Sequence, residues 1–255
     1  TLQSMIDQLA TLPLEFSPGE RWNYSVATDV LGYLVEVISG QSLPEYLHTA
    51  IFEPLGMVDT SFEIAPEKTA RFASCYERNL KKEMVLNDDG QASRFANLSF
   101  YSGGGGLIST VGDYYRFCQM LLGGGTLDGT RIIGSRTLAF MTANHLPGGA
   151  DLSQLATGGF SESSYEGVGF GLGFATKLDA VRNGFPGSTG SFFWGGLAST
   201  LFWVDPLEGN PEYQPPAGGV RAALPFVDRF LPGHNLRSLE ELATVLAGIE
   251  RRHAA

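Results

Sequence analysis

The chain has 255 residues, of which 43% are hydrophobic and 17% are charged, a composition typical of a folded globular protein and not of a disordered chain. Acidic residues outnumber basic ones by 27 to 17, and the formal net charge of −10 argues against nucleic acid and anionic membranes as partners. No apolar run approaches the roughly 20 residues that span a bilayer. The sequence leaves the cellular compartment open, with the cytoplasm favoured.

Residues 1–150 form the first of three stretches and are predicted to be mainly helical, starting with an amphipathic helix at Thr1. Ser25 is expected to cap a second helix that ends at Gly40. The apolar stripe of this helix, spaced close to the helical period, consists of Val26, Val30, Leu31, Leu34, Val37 and Ile38.

Two further helices are predicted in this stretch. The capping box Ser42-Leu43-Pro44-Glu45 indicates the start of one of them. Thr110 is predicted to begin the other, which stops at Gly123. Its inward-facing residues are expected to be Tyr114, Phe117, Cys118 and Leu121. Between the two helices, residues 102–106 include four consecutive glycines, which allow the backbone to approach another group closely. A phosphate-binding loop is excluded because no Gly-Lys-Ser/Thr follows.

Residues 151–206 form the second stretch and show the pattern of β-strands over residues 168–176 and 192–204. The linker at residues 183–188 is too short for the crossover helix of a parallel pair, so adjacent antiparallel strands are predicted. Residues 207–255 are predicted to be rich in loops, with a terminal helix that begins at Ser238. A sheet strand is expected to be missing after Asp205-Pro206, and the unpaired edges would favour oligomerisation.

Metal and cofactor sites are not predicted. Cys75 and Cys118 are far apart in the sequence, and the histidines His48, His145, His234 and His253 lack the spacing of paired ligands. The cysteines are therefore expected to be buried thiols that belong neither to a disulfide framework nor to a zinc site.

Tyr24 is the first candidate for chemistry, since it lies in the run Ser17-Pro18-Gly19-Glu20-Arg21-Trp22-Asn23-Tyr24-Ser25 between a turn and a helix. A phenol has a pKa of about 10 and is a poor base unless its anion is stabilised. A helix N-terminus contributes only about 0.3–1 kcal/mol, so a neighbouring ammonium group would have to supply the rest. The alternative is an aromatic side chain packed under a turn with its hydroxyl group hydrogen-bonded.

Several motifs together resemble the serine β-lactamase-related family, which includes class C β-lactamases, penicillin-binding DD-peptidases and related esterases. The resemblance covers residues 16–206 and is carried by Pro18-Gly19, Tyr24-Ser25, Pro54-Leu55-Gly56-Met57, residues 104–110 and Gly190 to Pro206. It implies an α+β, β-lactamase/transpeptidase-like fold, in which a helical domain packs on an antiparallel sheet flanked by helices. The chain would hold part of that fold.

The resemblance also implies the roles of particular residues. Tyr24 matches the tyrosine that, with a lysine, acts as general base and then as proton donor to the leaving group. Trp194-Gly195-Gly196 matches the esterase form of a motif that reads Lys-Thr-Gly in lactamases, and Leu197 would provide an oxyanion-hole N–H group.

The departures from the lactamase pattern favour uncharged esters over β-lactams. Val26 stands where class C enzymes have an asparagine, and Trp194 supplies no cation for a substrate carboxylate. Taken alone, the Trp194 motif would instead indicate a strand-edge aromatic followed by a bulge. Ser188-Thr189-Gly190 is a rival for the same motif but precedes the strand, and we interpret it as a turn.

The nucleophile is not found in this sequence. A Ser-x-x-Lys motif requires a serine three residues before a lysine, whereas those positions hold Ala65, Arg78, Asn79 and Phe174, and no Gly-x-Ser-x-Gly is present. We therefore expect part of a serine esterase that acts through an acyl-enzyme on a small ester or amide, inactive as this chain alone. The alternative hypothesis is a non-catalytic relative that binds an ester or a peptidoglycan-like ligand.

Overall fold

A computed structural model describes residues 1–157, 165–184, 187–196, 198 and 200–207. The chain divides into two units. The first contains Thr1–Pro18, Asn23–Ile133 and Gly196–Ser199, and the second contains Gly19–Trp22, Gly134–Gly195 and Thr200–Ala255. The predicted helix from Ser238 and the predicted loss of a strand concern residues beyond 207, outside the described part of the chain.

The first unit is mainly helical. Its helices are α1 (Leu2–Leu9), α2 (Ala27–Ser39), α3 (Leu43–Leu47), α4 (Glu53–Leu55) and α5 (Val111–Leu122), with a π-helical turn at His48–Phe52 and 3-10 turns at Pro66–Arg71 and Arg94–Ala96. Leu2, Leu43 and Phe62 form a buried cluster, and the aromatic rings of Phe62 and Tyr101 lie 5.4 Å apart. No helix in the described ranges is long and apolar enough to cross a membrane.

Two helix starts agree with the predictions. At α3, the Ser42 side chain accepts a hydrogen bond from the Glu45 backbone, and the Glu45 carboxylate accepts one from the Ser42 backbone. At α5, the Thr110 hydroxyl oxygen accepts a hydrogen bond from the Asp113 N–H group at 3.1 Å. Both starts follow from contacts within four residues, which is why the sequence alone identifies them.

The predicted cap of α2 is wrong, and the predicted inward face of α5 is confirmed only in part. Helix α2 is capped by Val26 without a side-chain bond, because the Ser25 hydroxyl oxygen instead accepts from the Ala27 N–H group. In α5, Leu121 is buried as predicted, Phe117 and Cys118 are partly buried, and Tyr114 is 38% exposed. Both cysteines are free thiols and are partly, not fully, buried, and burial raises the pKa of Cys118 to about 11.

Helix α2 also turns its apolar stripe away from the core of its unit. Leu31, Leu34, Val37 and Ile38 are exposed, whereas Asp29 and Gly32 on the opposite side are buried. An amphipathic helix on a protein surface normally shows the reverse arrangement. The hydrophobic period therefore identifies the helix correctly but does not indicate which side faces inward.

Two short hairpins in the first unit were not predicted. Strand β1 (Cys75–Arg78) pairs with β2 (Met84–Asp88), and β3 (Thr126–Leu127) pairs with β4 (Thr130–Arg131), both antiparallel. The second hairpin turns at Asp128 and Gly129, whose φ angles of 50° and 81° are both positive. Asp-Gly is a preferred pair for such a turn, so the sequence did contain a signal for it.

The second unit combines short helices with a four-stranded antiparallel sheet. It contains α6 (Ser135–Met141), a 3-10 turn at Pro147–Gly149, α7 (Leu152–Leu155), β5 (Val168–Phe170), β6 (Ala175–Lys177), α8 (Ala180–Asn183), β7 (Phe192–Gly195) and β8 (Leu201–Val204). The strand order is β5-β6-β7-β8. The antiparallel pairing of β6 with β7 confirms the prediction from the short linker.

Each of the two predicted strand segments folds into a hairpin. Residues 168–176 supply β5 and most of β6, and residues 192–204 supply β7 and β8. In the first hairpin, Gly173 has a φ of +94°, and a Cβ atom at Gly171 would lie 2.1 Å from the Met141 carbonyl oxygen. Glycine at these positions allows the reversal, because other residues would be strained or would clash.

A buried charged cluster joins three parts of this sheet. The Lys177 side chain at the end of β6 is fully buried, and its Nζ atom lies 4.4 Å from the centre of the Trp203 ring on β8. The Asp205 carboxylate accepts from the backbone N–H groups of Ser188 at 2.7 Å and Leu207 at 3.0 Å. Burial lowers the pKa of Lys177 to about 8, although the nearby Asp205 charge acts in the opposite direction.

We predict that this lysine makes the stability of the fold increase with pH. Between a pKa of about 8 in the folded protein and about 10.4 in the unfolded chain, the unfolded chain binds more protons. The free energy of unfolding should therefore rise across this window. Urea unfolding at a series of pH values should show the rise for the native chain and for Lys81→Met, an exposed control, but not for Lys177→Met. A pH-independent difference between the two variants would contradict the prediction.

Candidate functional site

Tyr24 lies between a turn and α2, as the sequence predicts. Gly19 in the preceding Pro-Gly turn has a φ of +88°, a conformation that glycine adopts without strain. The Asn23 amide donates a hydrogen bond to the Glu15 carboxylate at 2.9 Å. Tyr24 itself is 48% exposed. The segment thus presents a phenol at a helix N-terminus, at the surface of the described chain.

The glycine loop at residues 102–106 is fixed to the start of α2 by a buried carboxylate. Asp29, which is 7% exposed, accepts a hydrogen bond from the Ser102 hydroxyl group and another from the Gly104 N–H group at 3.3 Å. Hydrogen bonds to a carboxylate are stronger than those between neutral groups. Asp29 therefore determines where the loop lies relative to the helix that follows Tyr24.

Glycine is required where this loop touches α2. A Cβ atom at Gly103 would lie 2.3 Å from the Thr28 carbonyl oxygen, and one at Gly32 would lie 3.1 Å from the Gly103 Cα atom. A Cβ atom at Gly105 would meet nothing within 4 Å. The predicted close approach of the loop backbone is therefore confirmed, and it depends on Gly103 in particular.

Strand β7 carries the second group of candidate residues. Trp194 pairs with Phe202 and Gly195 with Leu201 across β7 and β8. A Cβ atom at Gly195 would lie 2.8 Å from the Leu201 side chain. Gly196 directly follows the strand, and Leu197 lies outside the described residues. The structure thus places Trp194 and Gly195 together on one strand of the second unit, whereas Tyr24 and Gly196 belong to the first.

The Trp194 ring belongs to an aromatic cluster within the second unit. Its centre lies 6.2 Å from that of Trp22 and 5.3 Å from that of Phe170, both in edge-to-face arrangements. The Trp22 backbone is fixed in turn, because its N–H group donates to the Leu155 carbonyl and its own carbonyl accepts from Thr157. Edge-to-face aromatic contacts are favourable, so they hold the Trp194 ring in place.

The rival motif Ser188-Thr189-Gly190 forms a turn, as predicted. Ser188 is fully buried and its N–H group donates to Asp205, while the Gly190 N–H group donates to the Lys177 carbonyl at 2.8 Å. These bonds connect the turn to the ends of β6 and β8. The turn therefore positions the start of β7, and this structural role accounts for the Ser188-Thr189-Gly190 motif.

Comparison with known families identifies the fold. The model of the family described as Beta-lactamase matches residues 1–222 of this chain.

The chain belongs to the β-lactamase family.

Its relatives include an uncharacterised protein of Mycobacterium tuberculosis, which is 34% identical over 78% of this chain and 49% of its own length. Esterase EstB of Burkholderia gladioli is 29% identical over 88% of this chain and 58% of its own. Among solved structures, EstCE1, a hydrolase with promiscuous acyltransferase activity, superposes with a TM-score of 0.66 at 26% identity, covering 81% of this chain and 54% of EstCE1. The chain spans about half the length of these relatives. The predicted β-lactamase/transpeptidase-like fold is confirmed.

The resemblance to the family pointed to Tyr24 and the β7 motif, but the residues that support them were not predicted. Asp29 and Ser102 are 73 positions apart, and Lys177 and Asp205 are also separated by much of the second unit. In the sequence, these contacts were indicated only by the position of Ser102 directly before the glycines and of Asp205 directly after β8. Within the described ranges, no three His, Cys, Asp or Glu residues gather as a metal site would require.

We predict that the glycine loop tolerates a methyl group at one position and not at another. Gly103→Ala should lower the free energy of unfolding by about 1–3 kcal/mol, because the new methyl group would force the loop away from the Thr28 carbonyl. Gly105→Ala is the matched control and should cost nothing, since its Cβ atom would meet no neighbour. Urea unfolding measures both values. Equal losses for the two variants would show that the close approach at Gly103 is unimportant.

Proposed function

We propose that this chain is part of a serine hydrolase that cleaves uncharged carboxylic esters through an acyl-enzyme. The observation that supports the proposal is the Trp194 ring, which is held by edge-to-face contacts with Trp22 and Phe170 and which, by the sequence resemblance, stands where lactamases carry a lysine. An aromatic ring offers an acyl or alcohol group an apolar contact but gives a carboxylate no countercharge. Relatives named as esterases, including EstB, support the same preference.

In the proposed reaction, Tyr24 is the general base. The phenolate of Tyr24 accepts the proton of a serine hydroxyl group while the serine oxygen attacks the ester carbonyl. This attack forms the tetrahedral intermediate. When the bond to the alcohol breaks, Tyr24 returns that proton to the leaving alkoxide, and the acyl group stays on the serine. Water then releases the acid by the same two steps. Backbone N–H groups, including that of Leu197, stabilise the oxyanion in this proposal.

Gly195 and Gly196 would help substrate binding at β7, because glycine leaves the strand backbone without a side chain. A Cβ atom at Gly195 would lie 2.8 Å from the end of the exposed Leu201 side chain, so a larger residue there would push that side chain aside. Glycine next to Trp194 thus allows a substrate to approach the backbone of β7 closely.

The second candidate is a non-catalytic relative that binds an ester or a peptidoglycan-like ligand. It is favoured by one observation, since neither Ser-x-x-Lys nor Gly-x-Ser-x-Gly occurs in the 255 residues. Loss of the nucleophile of a serine hydrolase costs on the order of a million-fold in rate. In both candidates, the 255-residue chain alone does not hydrolyse esters by the mechanism of the family.

We predict that a fluorophosphonate probe labels no serine of this chain. Such probes react with serines that an adjacent base activates, and no serine of this sequence lies three residues before a lysine. Intact-mass spectrometry after incubation with the probe should show the unmodified mass, and p-nitrophenyl butyrate should remain unhydrolysed above the buffer rate. A labelled serine would disprove the assignment of the missing nucleophile.

We further predict that Tyr24 is needed once a nucleophile is supplied. The test combines the chain with the part of Burkholderia gladioli EstB that this chain does not match, by co-expression and co-purification. Hydrolysis of p-nitrophenyl butyrate by the combined protein should fall by about 100-fold or more in Tyr24→Phe, as for loss of a general base. Tyr76→Phe, an exposed tyrosine on β1, should have no effect.

The outcomes of this test separate the two candidates. Hydrolysis that survives Tyr24→Phe would exclude the tyrosine as the base. A combined protein that binds the ester without hydrolysing it would favour the non-catalytic relative.

A further inference from the structure

The hairpin of β1 and β2 has one face on which large apolar side chains meet solvent. Side chains alternate along a strand, so the pairs Tyr76–Leu86 and Arg78–Met84 lie on the same face of the hairpin. Tyr76, Met84 and Leu86, which we call the apolar face, are 55%, 67% and 52% exposed. Apolar patches at the surface of a folded protein mark interaction sites.

The opposite face of the hairpin is polar. The Glu77 carboxylate accepts a hydrogen bond from the Asn87 amide at 3.0 Å, and the Glu83 carboxylate accepts one from the Asn79 amide at 2.9 Å. Glu77 pairs with Val85 across the ladder, and Val85 is partly buried. The hairpin is therefore amphipathic, but its apolar side faces solvent and its acidic side chains are held on the other side.

The turn of this hairpin presents a leucine at its end. The Asn79 carbonyl accepts from the Lys82 N–H group at 2.8 Å, and Asn79 Oδ1 accepts from the N–H groups of Lys81 and Glu83 at 2.9 and 3.0 Å. These bonds fix the turn, in which Lys82 has a φ of 64°. Leu80 lies within the turn and is fully exposed, although turns favour small and polar residues.

The hairpin tip, residues 78–84, is basic in an acidic chain. It holds three basic side chains and one acidic one, whereas the whole chain has a formal charge of −10. Strand β2 extends from Met84 at the tip to Asp88, a distance of about 13 Å at 3.3 Å per residue. The Debye length at physiological ionic strength is about 8 Å. The negative charge of the rest of the chain is therefore largely screened at the tip.

Exposed apolar side chains beside basic groups match the chemistry of an anionic lipid surface. A membrane interface accepts protruding apolar side chains, and its anionic lipids attract the cations next to them. We propose that the hairpin tip is a docking surface for anionic phospholipid membranes. Leu80 and Met84 insert among the lipids, and Arg78, Lys81 and Lys82 contact the phosphate groups. This surface goes beyond the proposed function and does not rest on it.

Charge and shape favour a lipid surface over a second copy of the chain. A contact between two tips would bring the same basic groups together, in chains that each carry a formal charge of −10, and both repulsions oppose association. A leucine at the end of a hairpin also protrudes. A protein partner would need a matching pocket for it, whereas lipids rearrange around an inserted side chain.

The test measures cosedimentation of the 255-residue chain with vesicles of phosphatidylglycerol and phosphatidylcholine in equal parts, and with vesicles of phosphatidylcholine alone. The native chain should bind the anionic vesicles at least about 10-fold more tightly, and added salt should weaken this binding. Leu80→Ser should weaken it by about 10-fold or more, because an inserted apolar side chain is lost. Lys81→Gln combined with Lys82→Gln should cost about 10-fold on anionic vesicles only.

Matched controls carry the same substitutions outside the hairpin. Leu14→Ser removes an exposed leucine from the same unit, and Arg131→Gln combined with Arg136→Gln removes two exposed cations. Both controls should bind the vesicles as tightly as the native chain. All these sites are exposed, so the variants should fold, and circular dichroism checks this.

Several results would overturn the proposal. They are no binding of the native chain to anionic vesicles, equal weakening by Leu80→Ser and Leu14→Ser, and binding that the double lysine variant leaves unchanged. A dimer, detected by sedimentation velocity, that Leu80→Ser dissociates would show that the occupant is a second copy. Vesicle binding that disappears when the chain is combined with the EstB portion would show that another part of the protein covers the tip.

Discussion

The Asp29 carboxylate is the constraint on which the described part of the first unit depends. It is buried near the start of α2 and accepts hydrogen bonds from a loop 73 residues away in the sequence. A buried carboxylate that lost these donors would pay a large desolvation penalty, so the loop and the helix are fixed together. The close contact of Gly103 with Thr28 and Gly32 follows from this attachment. Tyr24 immediately precedes the helix that is held in this way.

The second unit also contains a buried charged side chain, the ammonium group of Lys177. Lys177 is buried over the Trp203 ring, and Asp205 holds the turn that leads into β7. A buried charge is a costly way to join strands, since apolar residues of similar size often do so with more stability. The cluster lies at the ends of β6 and β8, the two strands that pair with β7.

The confirmed predictions concern features that depend on neighbouring residues, although the local cap at Ser25 was wrong and the turn at Asp128-Gly129 was missed. The capping box at Ser42, the cap at Thr110 and the antiparallel order of β6 and β7 all follow from short spacings, and each is confirmed. The hairpins within the two strand segments were missed because a strand pattern does not show where glycine reverses the chain. The burial of Lys177 and Asp29 was missed because their partners are distant in sequence. The motifs located the candidate site, but the roles of Tyr24, Trp194 and Leu197 stay predictions.

The hydrogen bonds on the inner side of α2 fix the helix without help from its apolar outer face. Because Asp29, Tyr33 and Glu36 already fix the helix, its outer face has its final shape before anything binds there. The outer face of the helix is therefore a preorganised surface.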